Sequence, residues 1–202
     1  MKRIVIIGAT SGIGLEVATL CIREGWRVGA AGRREEALEA LRATAPEQVE
    51  TEPLDITHDD APGQLARLID KLGGMDIYLH CSGIGKRNTG LLPEIELDTL
   101  RTNGEGFVRM VTAAFGYFRA NGGGHLAVIS SIAGTKGLGS APARVIPAGR
   151  TLRLTDEYIK LSRAPFSGAR LLRCEQGYPF VLTAMRSHNH SGISFQKNTR
   201  TA

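Results

Sequence analysis

A chain of 202 residues that is 42% hydrophobic has room for one domain with a sizeable core. Its opening, MKRIVIIGAT, is too short in apolar residues for a signal-peptide core or a spanning helix, and no later run reaches spanning length, so no membrane partner is expected. The net charge of +5 does not point to nucleic acid: residues 1–143 carry 15 Lys and Arg against 17 Asp and Glu, residues 144–202 carry 10 against 3, and no aromatic pattern interleaves with the basic positions.

Apolar runs and amphipathic stretches alternate through the first 131 residues in the order of a parallel sheet with crossover helices. In chain order the spacing predicts a strand at Arg3 to Ile7, a helix from Ile13 to Glu24, a strand at Arg27 to Ala31 and a helix from Glu35 to Ala43. A strand at Val49 to Leu54, a helix from Ala61 to Leu72, a strand at Met75 to Leu79, one long helix from about Leu97 to Ala120 and a strand at His125 to Ile129 follow. Most of these strands are rich in Val, Ile or Leu, as strands buried on both faces are. In the long helix Phe107, Val111, Ala114 and Phe118 recur at three and four, which makes one apolar stripe. Past residue 144 the alternation weakens: Thr155 to Arg163 reads as a helix, Ala169 to Cys174 as a strand, and SHNHSGISFQKNTRTA as a polar tail. The expected architecture is a single α/β domain over residues 1–185, a Rossmann-type doubly wound parallel sheet, followed by a polar tail over 186–202.

Cys21, Cys81 and Cys174 are odd in number, scattered and in no CxxC spacing, so neither a disulfide framework nor a zinc site is indicated and a reducing cytoplasm is expected. His188 and His190 lack neighbouring ligands, and no metal site is expected.

The first strand runs straight into GATSGIG, which sets Gly8, Gly12 and Gly14 at a strand-to-helix turn. Glycines let such a turn approach a pyrophosphate, and the following helix offers free N–H groups and the positive end of its dipole. Thr10, Ser11 and Ile13 belong to the same loop and are candidate contacts. The second strand ends in AAGRREE, with Arg33 and Arg34 about 20 residues beyond the motif, where an NAD site carries an acid and an arginine accommodates a 2′-phosphate. NADP, or NADPH in reduced form, is the expected cofactor.

With these residues the chain resembles the short-chain dehydrogenase/reductase family over about residues 1–143. GATSGIG resembles the family's TGxxxGIG motif, and GRR its NADP-type members. Asp55 and Ile56 in PLDIT stand where the family sets an aspartate against the adenine. His80 to Gly83, reading HCSG, occupies the place of the NNAG motif, with Cys81 and Ser82 where the family has Asn-Ala and Gly83 retained. Asn103 in RTNGEG matches the asparagine of the fourth helix, and Ser131 in ISSIAG the catalytic serine. The resemblance implies hydride exchange between a nicotinamide and a small-molecule carbonyl or alcohol, with Ser131 orienting the substrate oxygen, Asn103 holding the active-site helix, and a homodimer or homotetramer as the assembly.

It also implies a tyrosine acid/base at position 144 with a lysine at 148 to lower its pKa. Those positions hold Arg144 and Ala148, no YxxxK occurs anywhere in the chain, and Pro147 disfavours a helix there. An arginine does not give up its proton at useful pH. Two readings stay open: a cofactor-binding relative without the family's catalysis, or a stretch after Ala143 read from a displaced frame, since degenerate codons for residues 145–150 permit a Tyr and a Lys four apart in another frame.

Overall fold

The first strand, β1 (Arg3–Ile7), lies mid-sheet, flanked in parallel by β2 (Arg27–Gly32) on one side and β4 (Ile77–His80) on the other. The computed structural model that shows this describes residues 1–129 and the backbone of two further strands, Phe166–Arg173 and Val181–Ser187. β3 (Val49–Pro53) pairs with β2, and β5 (His125–Ile129) with β4, so five parallel strands run in the order β3-β2-β1-β4-β5. The order reverses between β1 and β4, and the crevice at such a switch point is where doubly wound sheets bind ligands.

The period of two along each strand divides the core. Val5, Ile7, Tyr78, Leu126 and Val128 face α3 (Ala61–Leu72) and α5 (Phe107–Ala120), while Ile4, Ile6, Val28, Ala30 and Leu79 face α1 (Gly12–Arg23) and α2 (Glu35–Thr44). All four residues of the expected stripe, Phe107, Val111, Ala114 and Phe118, are buried. Each large apolar side chain so placed contributes roughly 1.5–3 kcal/mol.

The structure differs from the expected elements at three points. The strand expected at Met75 begins instead at Ile77, because Met75 N–H donates to the Tyr117 hydroxyl (3.1 Å) and the Asp76 carboxylate is held by the Arg3 guanidinium (2.6 Å), which fixes a turn before the ladder starts. The long helix expected from Leu97 is three pieces: α4 (Pro93–Leu100), a π turn (Arg101–Gly106) and α5. Asn88 anchors the start of α4, accepting from Leu92 N–H and donating to the Leu92 carbonyl, both at 2.9 Å. Third, the strand expected at Ala169 to Cys174 is β6 (Phe166–Arg173), joined antiparallel to β7 (Val181–Ser187), and β7 pairs antiparallel with β5. The helix expected at Thr155 to Arg163 and the tail beyond Ser187 lie outside the described residues. Among the described residues no helix is long and apolar enough to cross a membrane.

Candidate active site

Four loops meet over the carboxyl ends of β1, β2, β3 and β4, and the cleft between them measures about 340 Å³. That lies within the roughly 300–1,000 Å³ typical of small-molecule sites. It is lined by Gly8, Thr10 and Ser11, by Arg33 and Arg34, by Asp55 and Ile56, and by Cys81, Ser82 and Gly83. The residues picked out in four separate stretches of sequence therefore share one wall-to-wall space.

The glycine loop explains why they meet. Gly8 has φ +92°, and a Cβ there would come 2.8 Å from the Ser82 nitrogen. Only a residue without a side chain lets the β1 and β4 loops touch backbone to backbone. Cys81 N–H continues the ladder to the Ile7 carbonyl at 2.8 Å. Gly14, inside the first turn of α1, packs so closely that a Cβ would lie 2.1 Å from the Gly8 oxygen. Gly12 is the opposite case, with nothing within 4 Å of its Cβ position. Ser11 is the N-cap of α1 yet makes no side-chain cap bond, and no acid stands in the first turn. The result is a glycine-floored, anion-friendly mouth with free N–H groups, a cradle that fits a pyrophosphate.

At the end of β2 the two arginines take different partners. Arg34 lies back across the glycine loop: its Nη2 donates to the Thr10 carbonyl (2.8 Å) and the Thr10 hydroxyl (3.2 Å). Arg33 leans the other way, 3.9 Å from the Asp55 carboxylate, and is 65% exposed. Burial works to raise the Asp55 pKa, but the Thr57 N–H (2.9 Å) and hydroxyl (2.8 Å), with the Arg33 and His58 charges, overcome it and hold the carboxyl below its ordinary value. Asp55 is therefore ionised at neutral pH.

Behind the cleft the π turn supplies Asn103. Its Oδ1 accepts from Ile84 N–H (2.8 Å) and its Nδ2 donates to the Ile84 carbonyl (2.7 Å), so one side chain fixes both backbone groups of the loop after Gly83. Below the floor, His80 is fully buried, with Nδ1 bonded to the Tyr78 hydroxyl at 2.8 Å and Nε2 without a hydrogen-bond partner among the described residues. Burial pushes its pKa down to about 4, and the Ser82 backbone acts in the opposite direction without offsetting this. Burial also pushes the Cys81 thiol up to about 12, so it is a protonated packing group at neutral pH.

Gly12, Ile13 and Gly14 open α1 beside the cleft, and Asn103 stands behind the wall through Ile84. Ser131 and position 144 lie outside the described residues. Sequence reasoning passed over Gly32, Leu54, Ile84 and Thr102, all of which line the cleft. Each adjoins a motif residue, and that adjacency was the available signal.

The model of the short-chain dehydrogenase family matches residues 2–143. The chain belongs to the short-chain dehydrogenase family. Relatives that match it are named oxidoreductases, and the matched span ends where the expected motifs end. An uncharacterized oxidoreductase of Myxococcus xanthus is 37% identical over 139 residues, covering 66% of this chain and 55% of that relative, so the match spans about half of the relative's length. Two solved short-chain dehydrogenase-like structures share the fold: an actinorhodin polyketide ketoreductase with NADPH (25% identity, TM-score 0.73, covering 80% of this chain and 66% of that one) and an NAD+-bound xylitol dehydrogenase (23%, TM-score 0.71, 77% and 63%).

Proposed function

We propose that the chain is an NADP-dependent oxidoreductase acting on a small-molecule carbonyl or alcohol. The observation that carries the cofactor preference is the pair of guanidinium groups after β2, with Arg34 latched to the glycine loop and Arg33 beside it, at the place where an NAD site carries an acid. Both cofactors occur in the structural neighbours, so the preference rests on these arginines. In this reading Gly8, Thr10, Ser11, Gly12, Ile13 and Gly14 hold the pyrophosphate, and Arg33 and Arg34 the 2′-phosphate. Asp55 and Ile56 hold the adenine end, and Cys81, Ser82 and Gly83 back the remainder of the nucleotide. When bound, the nicotinamide supplies hydride chemistry. Ser131 orients the substrate oxygen, and Asn103 keeps the loop at Ile84 in register.

A second reading has its own observation. The family's proton donor and its lysine are absent from the sequence, and the two described tyrosines are committed elsewhere: Tyr78 is buried against His80, and Tyr117 accepts from Met75 N–H. The alternative is therefore an NADP-binding member without the family's catalysis, serving structure or sensing. We further place the protein in a reducing cytoplasm, consistent with Cys21 and Cys81 being free thiols among the described residues, and as a homodimer or homotetramer, consistent with exposed Leu91, Leu92 and Leu97 around α4.

Following NADPH oxidation against a panel of ketones and aldehydes, alongside direct NADPH binding, tests the proposal. Turnover with any member supports the oxidoreductase reading. Saturable binding without turnover supports the non-catalytic one, and absence of binding overturns both.

A further inference from the structure

Beyond the π turn the first turn of α5 reaches a second cleft loop. Arg109 Nη1 donates to the Ile56 carbonyl at 3.0 Å, and its Nη2 to the Asp59 carboxylate at 2.8 Å. The loop it grips has left the sheet: its last ladder-like bond is Leu54 N–H to the Gly32 carbonyl (2.9 Å). After that its backbone bonds among the described residues are local, from Thr57 to Asp55, from His58 N–H to the Asp55 carbonyl (3.1 Å) and from Ala61 N–H to the His58 carbonyl (3.2 Å), and the exposed Arg33 adds only a screened ion pair to Asp55 at 3.9 Å. Local bonds fix the shape of a turn without fixing where the turn sits. Two contacts from the helix do that. The Ile56 side chain rests on Gly106, where a Cβ would come 2.7 Å from Ile56 Cγ1, and Arg109 holds the Ile56 carbonyl from the side.

The two ends of one helical stretch thus grip both walls of the cleft: Asn103 holds Ile84, and Arg109 holds Ile56. The groups gripped differ in worth. Asp59 is 99% exposed, so its ion pair is screened and contributes little. The Arg109 side chain is 23% exposed and Ile56 3%, so the bond to the carbonyl is the sheltered one.

We infer that Arg109 is a positioning residue for the adenine end of the nucleotide: it does not line the cleft itself and acts by holding the loop of Asp55 and Ile56 in place. This rests on the reading of the cleft as an NADP site.

Isothermal titration of the full chain with adenosine 2′,5′-bisphosphate and with NADP+ tests it, using Arg109→Met, Arg109→Lys and Asp59→Asn with thermal melts of each. Arg109→Met is expected to weaken both ligands by the same factor, about tenfold, because the loss sits at the end they share. Arg109→Lys, which keeps the charge but loses the two-armed fork, is expected to lose less, and it carries the comparison should the methionine variant fail to fold. Asp59→Asn is expected to bind as the unmodified protein does. Unchanged affinity in Arg109→Met with a lowered melting temperature would mean a merely structural role and overturn the inference, as would Asp59→Asn losing as much as Arg109→Met. If the unmodified protein binds neither ligand, the NADP reading itself fails, and this inference with it.

Discussion

Three glycines of one motif do three different things, and substitution separates them. Gly14→Ala drives a methyl into the Gly8 backbone, where a 2.1 Å approach has no flexible neighbour to yield. A loss of about 3 kcal/mol in urea unfolding is expected. Gly12→Ala meets open space and costs only the left-handed backbone, about 1 kcal/mol at φ +53°, and it adds a methyl at the helix start beside the cleft. The fold is expected to survive Gly12→Ala while nucleotide binding falls; equal damage from the two substitutions would refute the division. His80 gives a second residue-scale test. Its pKa is 6.5 when unfolded and about 4 when folded, so between those values the unfolded chain takes up a proton that the folded chain refuses. Stability is therefore fully present above pH 6.5 and is lost as pH falls toward 4, by about 2 kcal/mol between pH 6.5 and 5, where ordinary carboxylates remain ionised. His80→Asn is expected to flatten that slope in urea midpoints measured across the window.

At the scale of elements, the π turn decides which side chains reach the cleft. It reorients the chain between α4 and α5, so that Asn103 faces the loop at Ile84 and Gly106 faces Ile56. Gly106→Ala would set a Cβ 3.0 Å from the Ile56 carbonyl oxygen as well as against its side chain. A loss of about 1–3 kcal/mol in thermal melts, together with weaker nucleotide binding, is the expected result. This segment also marks how far the sequence was legible. The five parallel strands and their helices were readable because strands buried on both faces read as continuous apolar runs and the helices carry clean stripes. The π turn was not, since the stripe from Phe107 to Phe118 continues without any sign that the preceding residues are wound differently. Likewise the glycine motif, Asp55 and Asn103 were identifiable by type and place, whereas the Arg34 latch on Thr10 and the Arg109 grip on Ile56 span 24 and 53 positions and follow only from tertiary contact. The antiparallel approach of β7 to β5 was hidden for a related reason: direction of pairing is set by the connection, and the residues between β5 and β6 carry weak periodicity.

For the molecule as a whole, a sheet with its switch point between β1 and β4 gathers an anion cradle, two arginines and an ionised aspartate into one cleft. Family membership points to a nicotinamide nucleotide, and under the proposed reading of the cleft the arginines after β2 make the choice between its two forms a matter of one phosphate. The most direct measurement is a pair of fluorescence titrations of the unmodified chain, with NADPH and with NADH, at one ionic strength. A 2′-phosphate meeting one or both guanidinium groups is expected to bind at least about tenfold more tightly than the hydroxyl in its place, with the advantage shrinking as salt is added. Equal affinity for the two nucleotides, or tighter binding of NADH, would contradict it.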